Sequence, residues 1–176
     1  KTIADALPAD FPLYLYNIPQ CAANDLTPEI AAKIAKVCPN VVGIKYSGSD
    51  MLRTNEYLAI RGHNFDVVQG TDRLFLPALA AGCTGVVSGV SSVYPEPFVK
   101  IYKAWQAGDM ALALQEQRRA NDVIGILRAG SNISYFKHAL SYRGVVDAGT
   151  RLPQLGLTVE EEDWLVEELR LFERRA

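Results

Sequence analysis

The sequence predicts an α/β fold, the C-terminal half (strands 5–8) of a (β/α)8 TIM barrel followed by a C-terminal helical extension. Four short apolar runs without polar alternation are each followed by a helical pattern, which is typical of parallel strands buried on both faces. After residue 108 the pattern is helical only. Because a closed barrel needs about 250 residues and leaves no strand edge unpaired, we expect half a barrel at 1–108 and the extension at 109–176. A small open α/β domain of flavodoxin type with a helical appendage is the alternative.

The first β-α unit has clear local signals. An aromatic and apolar run at 12–16 is closed by Asn-Ile-Pro and predicts a buried strand. Thr27 is suited to cap the next helix and Pro28 to occupy its first position, before Cys-Pro-Asn at 38–40 ends it. The residues expected on the buried face of this helix are Ile30, Ile34 and Val37.

The other elements follow the same signals. Strands are predicted at 41–45, 65–69 and 84–88. The helix after the second strand is expected to begin at Asp50. The helix after the third strand should cover 74–81 before a C-cap at Gly82, and the helix after the fourth strand should end at Gly108. In the extension we expect a helix up to Gly130 and another at 133–142. A last helix should begin at the capping box Thr158-x-x-Glu161, with Leu165, Leu169 and Phe172 facing inward.

Composition and charge exclude several classes of function. The 176 residues carry 18 basic and 20 acidic side chains, a net charge of -2, and no basic block longer than a pair, so we expect no nucleic-acid partner. No apolar run reaches the roughly 18 residues of a membrane span. Three scattered cysteines favour reduced thiols and a cytoplasmic location, although the chain starts at Lys1 without a methionine, which leaves a targeting signal open. His63, expected in a solvated turn, and His138, expected to be structural, form no metal motif, so we expect no metal.

Two side chains at predicted strand ends can carry chemistry. Lys45 ends a strand buried on both faces, where desolvation favours the neutral amine that attacks a carbonyl to form a Schiff base. Tyr16 ends the preceding strand, where a phenol can relay protons. The plain alternatives are a lysine that extends to solvent and an aromatic residue at the rim of the core.

Taken together, these residues resemble a known family. Tyr-Asn-Ile-Pro at 16–19, with Gly-Ile-Lys ending at Lys45, 29 positions after Tyr16, resembles the fifth and sixth strands of the N-acetylneuraminate lyase and dihydrodipicolinate synthase family. The likeness continues through Gly-Thr-Asp at 70–72 and Lys-His-Ala-Leu at 137–140. Members are class I, Schiff-base aldolases on a (β/α)8 barrel, usually homotetramers.

The resemblance implies a site. Lys45 would form an imine with a 2-keto acid such as pyruvate, and Tyr16 would relay protons, so no cofactor beyond that covalent imine is expected. Gly70, Thr71 and Asp72 would border the substrate, and Val87 would present a backbone carbonyl to the keto acid. The family's Gly-Thr-Thr-Gly-Glu type motif, which holds the pyruvyl carboxylate, belongs to a strand that precedes these. The expected partners are a keto acid, an aldehyde, and further copies of the chain in a tetramer or dimer.

The substrate prediction rests on two departures from the family. Cys21 stands where dihydrodipicolinate synthases carry a carboxylate-binding arginine, and a thiol cannot supply that charge. Arg73 stands where neuraminate lyases carry an acid, which favours an acidic or phosphorylated acceptor unless Arg73 only faces solvent. We therefore expect cleavage of a 2-keto-3-deoxy sugar acid or a similar hydroxy-keto acid, with dihydrodipicolinate synthase activity as runner-up.

Two other hypotheses stay open. The glycines and serines around the fourth strand, Gly85, Ser88, Gly89, Ser91 and Ser92, suit a phosphate-binding barrel enzyme, although Asp72 would oppose a phosphate. The second hypothesis is that the chain is a non-catalytic relative or fragment that acts only as an assembly subunit.

Overall fold

A computed structural model describes residues 1–60, 65–145 and 149–175. The chain divides into two compact units, Lys1–Val87 and Ser88–Ala176. This division lies earlier than the boundary after residue 108 expected from the sequence, because the helix Pro95–Gln106 packs along the helix Met110–Ile126 within the second unit.

The first unit is built on a parallel sheet. Its strands are β1 (Leu13–Asn17), β2 (Val41–Tyr46), β3 (Asp66–Gln69) and β4 (Gly85–Val86), paired in the order β1-β2-β3-β4. Every pairing is parallel, which confirms the predicted succession of β-α units. The helices of this unit are α1 (Thr2–Asp5), α2 (Pro28–Val37), α3 (Met51–Leu58) and α4 (Phe75–Ala81), the last preceded by a 3-10 turn at Asp72–Leu74.

The second unit is helical. It contains α5 (Pro95–Gln106), α6 (Met110–Ile126), α7 (Ile133–Tyr142) and α8 (Val159–Arg174), with 3-10 turns at Val90–Ser92 and Arg128–Gly130. The capping box at Thr158 and Glu161 is present, and Leu165, Leu169 and Phe172 are buried as predicted. The segment 144–156 between α7 and α8 lies partly outside the described residues.

The helix signals of the first unit also hold. The Thr27 side chain accepts from the Ile30 N–H, Asp50 caps α3, and Gly82 ends α4 at a φ of 113°, a left-handed conformation that favours glycine.

Two local predictions are wrong. On α2 the fully buried residues are Ala31 and Ala35, whereas Ile30 and Val37 are exposed, because the small alanine side chains let the helix lie close against the sheet. The fourth strand covers only two residues instead of 84–88. At Ser88 the side-chain oxygen accepts from the Ser91 N–H, and this local turn competes with continued strand pairing.

Candidate active site

The ends of β1 and β2 bring Tyr16 and Lys45 together. The two residues are register partners in the parallel pairing of the strands. The Lys45 Nζ atom lies 4.2 Å from the centre of the Tyr16 ring, within the range of a cation–π contact. Lys45 is half-buried, and Tyr16 keeps half of its surface exposed. An amine and a phenol therefore share one accessible spot at the carboxyl edge of the sheet.

Ser47 is a third member of this group. It lies two residues after Lys45 and is buried, and its Oγ is 3.5 Å from the Tyr16 hydroxyl oxygen. Its backbone carbonyl accepts from Gln20 Nε2 at 2.9 Å and from Thr71 Oγ1 at 3.2 Å. Sequence reasoning missed Ser47, although its spacing of two from Lys45 was a usable signal, because alternate residues of a strand share a face.

Gly70 approaches Lys45 closely at the end of β3. A Cβ atom at this position would lie 2.0 Å from Ser47 Oγ and 2.9 Å from Lys45 Cε. Any side chain would therefore displace the lysine stem or the serine. The position requires glycine for this close approach, and the predicted site residue Gly70 does lie beside the predicted nucleophile.

Buried Gln69 orients the turn after β3. Its Oε1 accepts from the N–H groups of Gly70 at 2.9 Å and Thr71 at 3.0 Å. The Thr71 hydroxyl donates to the carbonyls of Ser47 at 3.2 Å and Gly48 at 3.1 Å. The hydroxyl of Thr71 thus ties the ends of β2 and β3 together.

The other predicted site residues surround the same edge. Asp72 and Arg73 lie in the 3-10 turn that begins at residue 72, where Asp72 is half-buried and Arg73 is exposed. Val87 follows β4, is half-exposed, and donates its N–H to the Gln69 carbonyl at 2.9 Å.

A buried amide fixes the loop that follows Tyr16. Asn17 is 2% exposed and donates from Nδ2 to Asp25 at 2.7 Å and to the Tyr57 hydroxyl at 2.9 Å. Arg53 donates to the other oxygen of Asp25 at 2.9 Å. The hydrogen bond from Asn17, and then that from Arg53, lower the pKa of Asp25 below its ordinary value. Sequence reasoning missed this network, because its partners are far apart along the chain.

The remaining candidates of the sequence lie elsewhere. His63 is outside the described residues, and His138 lies on α7 with Nε2 3.4 Å from Glu162. Cys21 is exposed, while Cys83 is buried, which raises its pKa to about 11. In the described part of the chain, no three His, Cys, Asp or Glu residues are grouped so that they could hold a metal ion. No helix in that part is both long and apolar enough to cross a bilayer.

The serines proposed to hold a phosphate bond mainly within their own turn. Ser91 Oγ and Ser92 Oγ donate to the Ser88 carbonyl at 3.2 and 3.1 Å, and Ser88 Oγ accepts from the Ser91 N–H. The hydroxyl protons of Ser91 and Ser92 are therefore directed at the backbone rather than at a ligand.

Comparison with known proteins identifies the family of this chain. The profile of the dihydrodipicolinate synthetase family matches residues 1–171. The chain belongs to this family. The 4-hydroxy-tetrahydrodipicolinate synthase of Coxiella burnetii is 36% identical over 153 residues, which are 87% of this chain and 51% of that protein. The enzyme of the same name from Sorangium cellulosum is 32% identical over 173 residues, 98% of this chain and 57% of its own length.

Solved structures of the family share the fold. The dihydrodipicolinate synthase of Aquifex aeolicus superposes with a TM-score of 0.88 at 30% identity, over 98% of this chain and 58% of that one. The synthase of Thermotoga maritima gives 0.86 at 27% identity, over 98% and 59%. The chain thus spans about half the length of the curated relatives it matches. The predicted family and the partial (β/α)8 barrel are confirmed.

Proposed function

We propose that this chain carries the imine-forming lysine and the proton-relaying tyrosine of a pyruvate-dependent, class I aldolase-type enzyme. Lys45 is the nucleophile and Tyr16 the acid-base group. The observation that carries the proposal is the 4.2 Å approach of Lys45 Nζ to the Tyr16 ring at the carboxyl edge of a parallel sheet, where barrel enzymes hold their active groups.

The reaction would proceed in balanced steps. The neutral Lys45 amine attacks the keto carbon of pyruvate and forms a carbinolamine. Tyr16 protonates the carbinolamine oxygen, which leaves as water, and the protonated imine remains. The Tyr16 phenolate takes a methyl proton from the imine, which gives an enamine. The enamine carbon adds to the aldehyde, Tyr16 returns the proton to the alkoxide that forms, and water hydrolyses the imine to free Lys45; cleavage is the reverse. The covalent imine is the electron sink, so no metal or organic cofactor is required.

Surrounding residues would hold this pair in place. Ser47 lies 3.5 Å from the phenol oxygen and Gly70 leaves room for the lysine stem. Thr71, Asp72, Arg73 and Val87 would border the aldehyde. We expect the enzyme to work as a homotetramer or homodimer.

For the acceptor, we propose aspartate semialdehyde, which gives 4-hydroxy-tetrahydrodipicolinate. From Cys21 and Arg73 alone, the sequence predicts this reaction only as the runner-up. The names of the curated relatives support it over the sugar-acid reaction. Cleavage of a 2-keto-3-deoxy sugar acid is the second candidate. It is favoured by Cys21, which replaces the expected carboxylate-binding arginine in the turn after β1, and by the exposed Arg73.

Borohydride trapping tests the nucleophile. The intact protein is incubated with pyruvate, reduced, digested and analysed by mass spectrometry. We expect a reduced pyruvyl group on Lys45 of the wild type and no such group on the Lys45→Ala protein. Lys36→Ala, which removes an exposed lysine of α2, should be labelled like the wild type. Equal labelling of Lys45→Ala would contradict the proposal.

A substrate panel tests the acceptor. Condensation of pyruvate with aspartate semialdehyde should be efficient, and cleavage of deoxy sugar acids weak. The opposite result would favour the sugar-acid aldolase as the function, and the proposed role of Lys45 as the nucleophile would stay the same.

A further inference from the structure

The second unit contains a charged cavity that shares no residue with the candidate active site. It has a volume of about 450 Å³ and is lined by residues of α5, α6 and α8. A volume of this order is enough for a small organic molecule. Four basic and two acidic side chains contribute to its lining, namely Lys100, Arg118, Arg119 and Arg175 with Glu116 and Asp122.

Glu116 brings an unsatisfied oxygen to this cavity. The residue is 5% exposed, and its Oε2 has no hydrogen-bond partner among the described residues. Lys100 Nζ forms an ion pair with the other oxygen at 3.7 Å, which is too long for a hydrogen bond. Since a buried carboxylate oxygen costs free energy when it lacks a donor, Glu116 Oε2 favours a donor from outside the described residues.

Arg119 has the complementary deficiency. Its Nε is buried and, within the part of the chain that the structure describes, donates to no acceptor. The guanidinium lies 5.1 Å from the centre of the Phe172 ring, so the stacked aromatic holds its orientation. Two residues of the cavity lining, one helical turn apart, therefore carry an unused donor (Arg119) and an unused acceptor (Glu116) among the described residues.

We propose that this cavity binds a small oxyanion that carries a neighbouring hydroxyl group, such as a hydroxycarboxylate. The anion pairs with Arg119 and with the flanking arginines Arg118 and Arg175, whose planar donors suit an oxyanion. The hydroxyl donates to Glu116 Oε2, because an ionised carboxylate only accepts hydrogen bonds. An anion without a hydroxyl would leave Glu116 unpaired and would be repelled by it.

Calorimetric titration of the intact protein at low salt tests both halves of the proposal. The probes are malate and succinate, which differ by one hydroxyl. Malate should bind at least about tenfold more tightly, the usual worth of a hydrogen bond to a charged group. Glu116→Met, which keeps the side-chain volume but removes the acceptor, should bring the ratio of the two affinities close to one.

Three arginine variants complete the test. Arg119→Met keeps the packing against Phe172 and should weaken both anions at least about tenfold, as loss of a charge-assisted hydrogen bond does. Arg175→Met, at an exposed position, gives the same test if Arg119→Met does not fold. Arg174→Met removes an exposed charge of α8 that does not line the cavity and should bind like the wild type. Three outcomes would each overturn the proposal. These are the absence of saturable malate binding, undiminished binding by the folded Arg119→Met protein, and equal wild-type affinities for malate and succinate.

Discussion

The strand ends of the first unit and the helical core of the second unit use buried residues differently. At the strand ends the buried side chains of Asn17 and Gln69 hydrogen-bond to the loops that follow β1 and β3, and buried Ser47 lies 3.5 Å from the Tyr16 hydroxyl. In the helical unit the residues buried along α8 are apolar, Leu165, Leu169 and Phe172. Hydrogen bonds fix directions, whereas apolar contacts supply stability without a preferred direction. The strand ends are therefore built to orient groups, and the apolar face of α8 to hold the fold.

The same contrast decides which substitutions should affect which property. Changes near Lys45 should alter the chemistry and leave the free energy of unfolding almost unchanged. Changes in the core of the helical unit should lower that free energy and leave the chemistry of the folded protein intact. Four substitutions, ordered by the size of the expected effect, test this separation.

Tyr16→Phe should have the largest effect. Loss of the phenol should reduce turnover by about 10²- to 10⁴-fold, the usual contribution of general acid-base catalysis. The melting temperature should stay the same, because Tyr16 is half exposed and its hydroxyl makes only a long contact with Ser47. Steady-state kinetics and calorimetry measure the two quantities.

A second tyrosine of β1 provides the control. Tyr14 is also exposed, and its hydroxyl donates to Asp66 at 2.9 Å, away from the Lys45 amine contact. Tyr14→Phe should keep the wild-type turnover. Unchanged turnover in Tyr16→Phe would remove the phenol from the mechanism.

Leu169→Ala should lower stability without affecting the chemistry. Leu169 is fully buried, and its truncation should cost about 2–5 kcal/mol of unfolding free energy in a urea titration. The folded fraction should still react with pyruvate and borohydride at Lys45. Val159→Ala, at a 70% exposed position of the same helix, should change the free energy by less than about 0.5 kcal/mol. Loss of labelling in folded Leu169→Ala would break the separation between the regions.

Local signals explain why much of the fold was predictable. The caps at Thr27, Asp50 and Thr158 act over three residues, so the helices begin where the sequence indicates. Continuous apolar runs identify strands covered on both faces, and the strand ends they predict place Lys45 and Tyr16 side by side.

Tertiary pairing explains what the sequence could not predict. Asp25 meets Arg53 across 28 positions, with no periodic pattern to connect them. The buried face of α2 was partly misassigned because hydrophobicity favoured Ile30 and Val37, which are exposed, over Ala31 and Ala35, which are buried.

Thr158→Ala should show the contribution of a single cap. The Thr158 side chain accepts from the Glu161 N–H at 3.3 Å, and Glu161 accepts in return from the Thr158 N–H at 3.0 Å. Removing the hydroxyl should cost about 1 kcal/mol in chemical denaturation. Thr158→Ser keeps the hydroxyl and should restore most of that loss; equal losses in both variants would mean that the cap is not the cause.

Asp25→Asn should have the smallest effect, and it should depend on pH. Hydrogen bonds from Asn17 and Arg53 lower the pKa of Asp25 in the folded protein below its ordinary value of 3.8. The stability that Asp25 contributes is therefore complete above the unfolded-state pKa and is lost as the pH falls through the folded-state pKa. Because the side chain is 41% exposed, the contribution should stay below about 1 kcal/mol.

Urea titrations from neutral pH to below 3.8 should show a steeper loss of unfolding free energy for the wild type than for Asp25→Asn. Arg53→Met should keep part of the wild-type pH dependence, because the hydrogen bond from buried Asn17 is the largest single cause of the lowered pKa and stays in place. If Arg53→Met instead matched Asp25→Asn, the surface ion pair would be the main cause of the lowered pKa, and the buried amide after Tyr16 would not be what holds this loop.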